Sequence, residues 1–188
     1  RKEHEQLRLR VSERQPDEAI RLVAAGHLDI ALVNDWMNAP LVLPDGLERL
    51  LIMNDPVDLA VPADHPLAER ASVELTELCT EPWITWPYGA SCHEWLTQTL
   101  RQHGLIPEVT HTAEEHQTQL AMVAAGLGIA VMPRLGRGST EGVSIVSLKP
   151  AFSRQIYAIW RTLASERPAI AVTVSAIRDA TAGCEMTP

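Results

Sequence analysis

One local pattern occurs twice in this chain and constrains its fold more than any other feature. Residues 22–33 read LVAAGHLDIALV and residues 122–132 read MVAAGLGIAVM. Each copy resembles the end of a helix, followed by a glycine suited to the left-handed turn after a helix and by a short apolar strand. Because V-A-A-G is a common way to end a helix, the match alone does not prove a duplication. The order of the surrounding elements has to decide.

The first copy completes a strand–helix–strand unit. Alternating apolar and polar residues predict a half-buried strand over 7–13. Residues 14–26 predict a helix, with Pro16 in its first turn and Gly26 at its end. The apolar run at 28–33 is typical of a strand buried on both faces, which would lie parallel to the first strand.

The second copy completes a longer series of the same kind. The predicted strands and helices alternate over 82–87, 91–104, 107–112, 112–126 and 127–133. Two capping boxes are expected at the helix starts, Ser91 with Glu94 and Thr112 with Glu115. Compared with this half, the first half lacks an opening strand and helix, so the repeated order favours two similar α/β lobes.

The remaining predicted elements are two strands and a helix. Strands are expected at 47–53 and 57–62, and a C-terminal helix at 168–182 begins with Pro168. The β-branched run at 172–174 leaves a strand open as the alternative for the last element.

Composition narrows the function. Hydrophobic residues make up 46% of the 188 residues, which is enough to form a core. The net charge of −8 argues against direct binding of nucleic acid by this chain, because phosphate contacts need clustered Lys and Arg. No apolar run is long enough to cross a membrane, and the first residues do not resemble a signal peptide. The sequence does not begin with Met, which indicates a fragment. Three cysteines without a C-x-x-C motif favour free thiols in a reducing cytoplasm.

Motifs for catalysis or metal binding are incomplete. A nucleophile elbow at 89–93 would need glycine where His93 stands, and a metal motif at 111–116 would need histidine where Glu115 stands. Gly126 and Gly128 have no third glycine at dinucleotide-site spacing and follow a helix. The chain is therefore predicted not to be an enzyme and to carry no cofactor or metal.

Four segments in order resemble a known family. They are the first repeat copy, LERLLIMNDPVDLAVPADHPLA at 47–68, VELTEL at 73–78, and GLGIAVMP at 126–133. Together they closely resemble the effector-binding domain of LysR-type transcriptional regulators. The resemblance implies a two-lobed α/β fold like type 2 periplasmic binding proteins, with a ligand cleft between the lobes. Lobe I would comprise 1–54 and 160–188, without its first strand and helix, and lobe II would comprise 55–159.

The resemblance also implies partners and a regulatory role. A small-molecule effector would shift an oligomer, a homodimer or homotetramer, whose DNA contacts come only through an N-terminal winged helix-turn-helix absent from this sequence. Leu7, Leu9 and Trp95 are the expected contacts between copies. The alternatives are an extracytoplasmic solute-binding protein of a transporter and an enzyme on the same fold, in which Ser91 and His116 would matter.

The predicted ligand residues follow from strand ends and helix starts that should meet at one crevice. Free N–H groups of helix N-termini favour a carboxylate or a similar anion, and aromatic side chains suit an apolar body. Ordinary packing is the alternative for the aromatic residues, and a solvated side chain is the alternative for His116. The expected contacts from strand ends and helix starts are Asn34, Asp35, Trp36, Trp86, Pro87, Tyr88, Ser91, Cys92, His116, Met132 and Pro133. By family resemblance, the loop at Arg14 and Gln15 is a further contact region.

Overall fold

The computed structural model describes residues 7–36 and 40–182. Within them four helices and seven strands follow one another, and two short 3-10 turns occur at Leu75–Leu78 and Thr162–Ala164. In chain order the elements are α1 (Pro16–Ala24), β1 (Ile30–Trp36), β2 (Leu47–Pro62), β3 (Ser72–Glu74), β4 (Pro82–Thr85), α2 (Ser91–Gln102), β5 (Glu108–Thr112), α3 (His116–Ala124), β6 (Ala130–Pro133), β7 (Val143–Arg161) and α4 (Pro168–Ala182).

The chain forms two compact units. Unit 1 comprises Arg1–Asp35, Leu41–Met53 and Gln155–Thr187, and unit 2 comprises Trp36–Pro40 and Asn54–Arg154. The long strands β2 and β7 therefore each contribute one part to unit 1 and the other part to unit 2.

Unit 1 is a sheet with a helix on each face. β1 pairs with β7, and β7 pairs with β2. Side chains alternate between the faces of a strand, so Ala31 and Val33 of β1 pack with α1 whereas Ile30 packs with α4. The apolar faces of the two helices are what hold them to the sheet.

Unit 2 has the same kind of layering. β4 and β5 are parallel, and backbone hydrogen bonds join β4 to Ile129, just before β6. β4 therefore lies between β5 and β6. Trp83 of β4 packs on one face in the cluster that contains α2, and Ile84 packs on the other face in the cluster that contains α3.

The two repeat copies have the same backbone structure. After α1, the N–H of Gly26 donates to Val23 O at 3.0 Å and the N–H of His27 donates to Leu22 O at 2.9 Å. After α3, the equivalent bonds from Gly126 and Leu127 measure 2.9 and 3.1 Å. This pair of bonds is the Schellman motif, and both glycines have the positive φ that it requires. The helix–glycine–strand prediction is confirmed for both copies.

The predicted strand at 7–13 is wrong. Residues 7–15 have no regular structure, and apolar side chains such as Val11, 93% exposed, face solvent. A strand needs a neighbour for its backbone hydrogen bonds, and none of the described strands pairs with this segment. The burial predicted for both faces of 28–33 is also wrong, because Leu32 is 53% exposed.

Both predicted capping boxes are wrong as well. α2 begins at Ser91 itself, with Ala90 in the cap position, and α3 begins only at His116, with Glu115 in the cap position. Neither cap residue makes a side-chain hydrogen bond, so the first-turn N–H groups of both helices lack a side-chain cap.

The two long strands each contain a proline, which usually marks an edge or the end of a strand. Two separate strands were predicted on either side of Pro56 where the structure has the single strand β2, and no strand was predicted over β7, which contains Pro150. In the structure the carbonyl of Pro56 accepts the N–H of Arg134 at 2.9 Å, so the strand continues through it. The C-terminal helix at 168–182 is confirmed over its strand alternative.

Candidate functional site

The carboxyl end of β4 meets the amino ends of α2 and α3 at one edge of unit 2. The N–H of Ala113 donates to Thr85 O at 2.9 Å, and the rings of Trp86 and His116 meet edge to face with centroids 5.7 Å apart. On the side of α2, Nδ1 of the buried His93 lies 3.1 Å from Trp86 O and donates to it, because a carbonyl oxygen only accepts. We call this region the β4 edge.

The β4 edge presents hydrogen-bond donors suited to an anion. No cap-residue side chain accepts the first-turn N–H groups of α2 or α3. The helix dipole adds partial positive charge at the same ends, which Glu94 in the first turn of α2 and Glu115 at the cap of α3 partly offset. Backbone donors at two helix starts can bind a small carboxylate.

Arg154 lies close to this region and its contacts are confined to unit 2. Its Nε donates to Asp55 Oδ2 at 2.8 Å, and its guanidinium lies 5.9 Å from the ring centroid of Trp36. The other oxygen of Asp55 accepts the N–H of Leu135 at 2.8 Å, so the carboxylate is fully engaged although the residue is completely buried.

A second ion pair lies beside the end of β6. Asp58 accepts Nε of Arg134 at 2.8 Å and also a hydrogen bond from Arg137. Burial would raise the pKa of Asp58, but the two arginines outweigh it and hold the pKa below its ordinary value. Together with the pair of Asp55 and Arg154, three guanidinium groups against two carboxylates leave one positive charge in an otherwise acidic chain.

The environment of His116 lowers the pKa of its imidazole. Burial lowers this pKa most, the positive charge of Arg154 lowers it further, and Asp55 opposes both effects. A neutral imidazole can accept one hydrogen bond and donate another, and its protonation would add a positive charge beside the start of α3.

The predicted ligand residues are only partly brought together. Trp86 and His116 are in contact, but Trp86 is only 6% exposed and belongs to the same core cluster as Trp36. Trp36 is fully buried and stacks on Trp95 with ring centroids 4.0 Å apart. Met132 is also completely buried, in the core under α3. Of the others in unit 2, Tyr88 and Ser91 are exposed, Pro87 and Cys92 are half-buried, and Pro133 is buried.

The predicted ligand residues of unit 1 have different environments within that unit. Asp35 is buried and engaged structurally, because its Oδ1 accepts the N–H of Leu41 at 2.9 Å and its other oxygen lies 3.7 Å from Arg49. Asn34 is half-buried. Arg14 is exposed and pairs with Glu18, and Gln15 is exposed in front of α1.

The residues predicted to join two copies have different environments. Leu7 is half-buried and Leu9 is exposed, which leaves both accessible. Trp95 is only 3% exposed, because its ring packs between Trp36 and Phe152 in the core of unit 2. Trp95 therefore offers little accessible surface in this structure, and its contact with a second copy stays a prediction.

Sequence reasoning missed the charged residues beneath the β4 edge. Asp55 and Asp58 stand within the otherwise apolar segment DPVDLAVP, and a carboxylate in a buried strand requires a partner. That signal was present, but the partners Arg134, Arg137 and Arg154 are far away in sequence and only the fold identifies them.

The described residues include neither a metal-binding cluster nor a membrane-spanning helix. No group of three histidine, cysteine, aspartate or glutamate side chains is placed to hold a metal ion there. Over the same ranges, 7–36 and 40–182, no helix combines the length and apolar character needed to cross a membrane.

Comparison with known proteins identifies the fold and its relatives. The model of the LysR substrate binding domain matches residues 1–182. Over 140 residues the chain is 38% identical to the HTH-type transcriptional regulator TtuA of Agrobacterium vitis, covering 70% of this chain and 44% of that protein. Over 135 residues it is 30% identical to the uncharacterized HTH-type transcriptional regulator YnfL of Escherichia coli, covering 71% and 44%.

A solved structure agrees with this relationship. The BenM effector binding domain, determined with its effector benzoate, superposes with a TM-score of 0.83 at 23% identity and covers 100% of this chain and 84% of that one. This likeness confirms the predicted two-lobed α/β class. The chain spans less than half the length of the two curated regulators.

Proposed function

Because the chain belongs to the LysR substrate binding domain family, we propose that it senses a small anionic effector for a DNA-binding transcriptional regulator. The observation that carries this proposal is the β4 edge. There the start of α3, where the cap residue makes no side-chain hydrogen bond, lies beside the half-buried imidazole of His116, so backbone and side-chain groups that can bind an anion occur together.

The two buried carboxylates of unit 2 are not available to a cation. Arg134 and Arg137 engage Asp58, and Arg154 engages Asp55. An aromatic or aliphatic carboxylate would place its negative group at the helix N–H groups. Benzoate, the effector named for the BenM domain, is therefore a reasonable first probe.

The regulatory part of the proposal rests on the relatives. Both curated relatives are named as HTH-type transcriptional regulators and extend well beyond the matched region. DNA contacts would be made by a helix-turn-helix outside these 188 residues, which agrees with the net charge of −8. An effector that prefers one conformation would shift the protein between DNA-binding states of a homodimer or homotetramer in the cytoplasm.

The relatives do not favour the alternatives. Both relatives described above are named as HTH-type transcriptional regulators, and neither name indicates a transporter's solute-binding protein or an enzyme. Ser91 is exposed at the first position of α2, and no described contact joins it to a histidine. We therefore infer binding without turnover.

A ligand screen on the full-length protein tests this proposal. Thermal denaturation would be followed with benzoate and a panel of aliphatic and aromatic carboxylates at millimolar concentration, together with the matching neutral amides. We expect at least one carboxylate to raise the melting temperature, because a ligand at 100 times its dissociation constant stabilises by about 2.7 kcal/mol. The amides should have no effect.

Variants separate binding at the β4 edge from binding elsewhere. Trp86→Ala should abolish the shift, whereas Tyr157→Ala in unit 1 should retain it. If no carboxylate changes the melting temperature and DNA affinity does not respond to any of them, the effector proposal fails.

A further inference from the structure

Two buried polar atoms at the β4 edge have no hydrogen-bond partner among the described residues. They are the hydroxyl oxygen Oγ1 of Thr85, the last residue of β4, and the carboxamide oxygen Oε1 of Gln119 in α3. Both residues are completely buried. Nearly all buried polar groups in folded proteins have a partner, so two unpaired atoms in one region require an explanation.

Both residues bond to Ala113, which precedes α3 and leads into it. The N–H of Ala113 donates to Thr85 O at 2.9 Å, and Nε2 of Gln119 donates to Ala113 O at 2.8 Å. Side chains of a helix lean toward its N-terminus, and this bond draws the carboxamide of Gln119 back past the first turn of α3. Oε1 of Gln119 therefore lies at the β4 edge, beside the helix start that can bind an anion.

The bond to Ala113 also fixes which way the carboxamide of Gln119 points. A carbonyl oxygen only accepts hydrogen bonds, so the group that faces Ala113 O must be the NH₂ and not the oxygen. Exchanging the two groups would set one oxygen against another. Because Oε1 can only accept, the missing partner is a hydrogen-bond donor.

Gln119 occupies a position that an apolar side chain would suit better. Val123, one turn later on the same face of α3, packs into the apolar cluster beneath the helix. An unpaired acceptor is unfavourable there, because its oxygen loses water on burial and gains no bond in return. Departures from this rule are expected at functional sites.

We propose that the effector carries a hydroxyl group beside its carboxylate, and that this hydroxyl donates to Gln119 Oε1. The hydroxyl belongs to the same anion that the proposed function places at the start of α3, so the proposal rests on that function. The ligand class is thereby narrowed to hydroxycarboxylates. The hydroxyl of Thr85, which can donate as well as accept, is a second partner for the polar part of the ligand.

An ammonium group also donates hydrogen bonds, but the surroundings favour a neutral donor. A buried charge is costly unless an opposite charge pairs with it, and neither Gln119 nor Thr85 is charged. The buried carboxylates of Asp55 and Asp58 already pair with arginines. Glu115, at the cap of α3, is exposed, so solvent screens its charge. A hydroxyl is therefore the donor that these groups accommodate best.

The ligand needs a path, because Oε1 of Gln119 is closed to solvent in this structure. His116 stands three residues before Gln119, hence on the same face of α3, and is half-buried. A rotamer change of His116 would open the first turn of α3 toward Gln119. Side-chain rearrangements of this kind are common when a partner binds.

Calorimetric titration of the full-length protein with matched acids tests the hydroxyl. The pairs are lactate with propionate, malate with succinate, and mandelate with phenylacetate, which differ by one hydroxyl. The amino acids alanine, aspartate and phenylglycine carry an ammonium group in its place. We expect at least one hydroxy acid to bind about 10-fold or more tightly than both its deoxy partner and its amino counterpart.

The other outcomes of this titration are distinct. Equal binding within every pair would overturn the proposal and would indicate that a resident water satisfies Gln119. Tightest binding of an amino acid would overturn it in favour of an ammonium group. If no carboxylate binds, with or without a hydroxyl, the proposed function fails and this proposal fails with it.

A matched pair of substitutions tests Gln119 itself. Gln119→Met keeps the length of the side chain but removes the strong acceptor, so the preference for the hydroxy acid should fall to about 3-fold or less. Affinity for the deoxy acid should stay within about 2-fold, because the deoxy acid makes no bond to Oε1. Gln102→Met, the same change at an exposed glutamine at the end of α2, should leave both affinities unchanged.

An unchanged preference in Gln119→Met would overturn the proposal even if the natural protein prefers the hydroxy acid. Melting curves without ligand would show whether each variant folds. Thr85→Val, which replaces only the hydroxyl by a methyl group, provides the same test if Gln119→Met does not fold. It should also reduce the preference for the hydroxy acid, and an unchanged preference there would count against the proposal.

Discussion

At the scale of single residues, Gly128 is the position where the fold tolerates a side chain least. A Cβ there would lie 2.4 Å from the carbonyl oxygen of Pro82, and its φ of +151° is already unfavourable for other residues. Gly128→Ala should therefore push β4 away from β6 and reduce the free energy of unfolding by about 3 kcal/mol or more. Chemical denaturation would measure this.

The control for that substitution is Gly104→Ala. Gly104 also has a positive φ, but no atom lies within 4 Å of the Cβ it would acquire. It should cost only the backbone term, about 1 kcal/mol. Equal costs at the two positions would contradict the close approach between Gly128 and Pro82.

His116 predicts a pH dependence of stability. Its pKa in the folded chain lies below the ordinary value of 6.5, so the unfolded chain takes up a proton first as the pH falls through 6.5. The free energy of unfolding should consequently decrease over that range, and His116→Gln should reduce the slope. Denaturation at a series of pH values would measure it, with the exposed His27→Gln as the control. An unchanged slope in His116→Gln would refute the lowered pKa of this half-buried imidazole.

At the scale of elements, Arg161 of β7 stabilises the end of α1. Its Nη1 donates to Val23 O at 2.8 Å, which also accepts the N–H of Gly26, and to Leu28 O at 3.1 Å, so it joins the last turn of α1 to the residues that lead into β1. Arg161→Ala should cost about 1.5–3 kcal/mol, because hydrogen bonds to a charged donor are lost. Arg178→Ala, on the exposed side of α4, should cost less than about 0.5 kcal/mol in the same denaturation assay. Similar costs for both would argue against this cap.

Asp58 of β2 holds the segment after β6 in place. Replacing it by alanine would leave Arg134 and Arg137 without their shared carboxylate in a largely buried position. We expect a loss of about 3–5 kcal/mol by chemical denaturation. Glu77→Ala, which removes an exposed carboxylate that pairs with Arg70 and accepts the N–H of Glu74, is the comparison and should cost much less. A small effect of Asp58→Ala would mean that the two arginines find other partners.

The elements also show what sequence reasoning could and could not predict. The 3.6-residue periodicity and the glycine stops identified α1, α2, α3 and α4, because these signals are local. The strand at 7–13 failed because a strand depends on a neighbour that local residues do not reveal. Helix starts were misplaced by up to four residues, since a Ser or Thr followed by Glu satisfies the capping pattern whether or not its backbone is at the helix start.

For the whole molecule, the repeat correctly predicted an α/β architecture in which each copy delivers a strand to its own unit. The candidate site was predictable only in part. Trp86 and His116 follow from where a strand ends and a helix begins, whereas Asp55 and Arg154 lie 99 positions apart and meet only through the long strands. Aromatic residues such as Trp36 have the same appearance in sequence whether they bind a ligand or fill a core, and here Trp36 fills the core.

The most direct measurement of effector binding at the β4 edge uses the five tryptophans as reporters. Full-length protein labelled with 5-fluorotryptophan would be titrated with the carboxylate that stabilises it most. The signals of Trp86 and Trp160 would be assigned from the variants Trp86→Phe and Trp160→Phe, each of which lacks one signal. Since Trp86 lies beside the uncapped start of α3 and Trp160 lies in unit 1, we predict that the ¹⁹F signal of Trp86 shifts to saturation while that of Trp160 does not. A saturating titration that leaves Trp86 unchanged would contradict effector binding at the β4 edge.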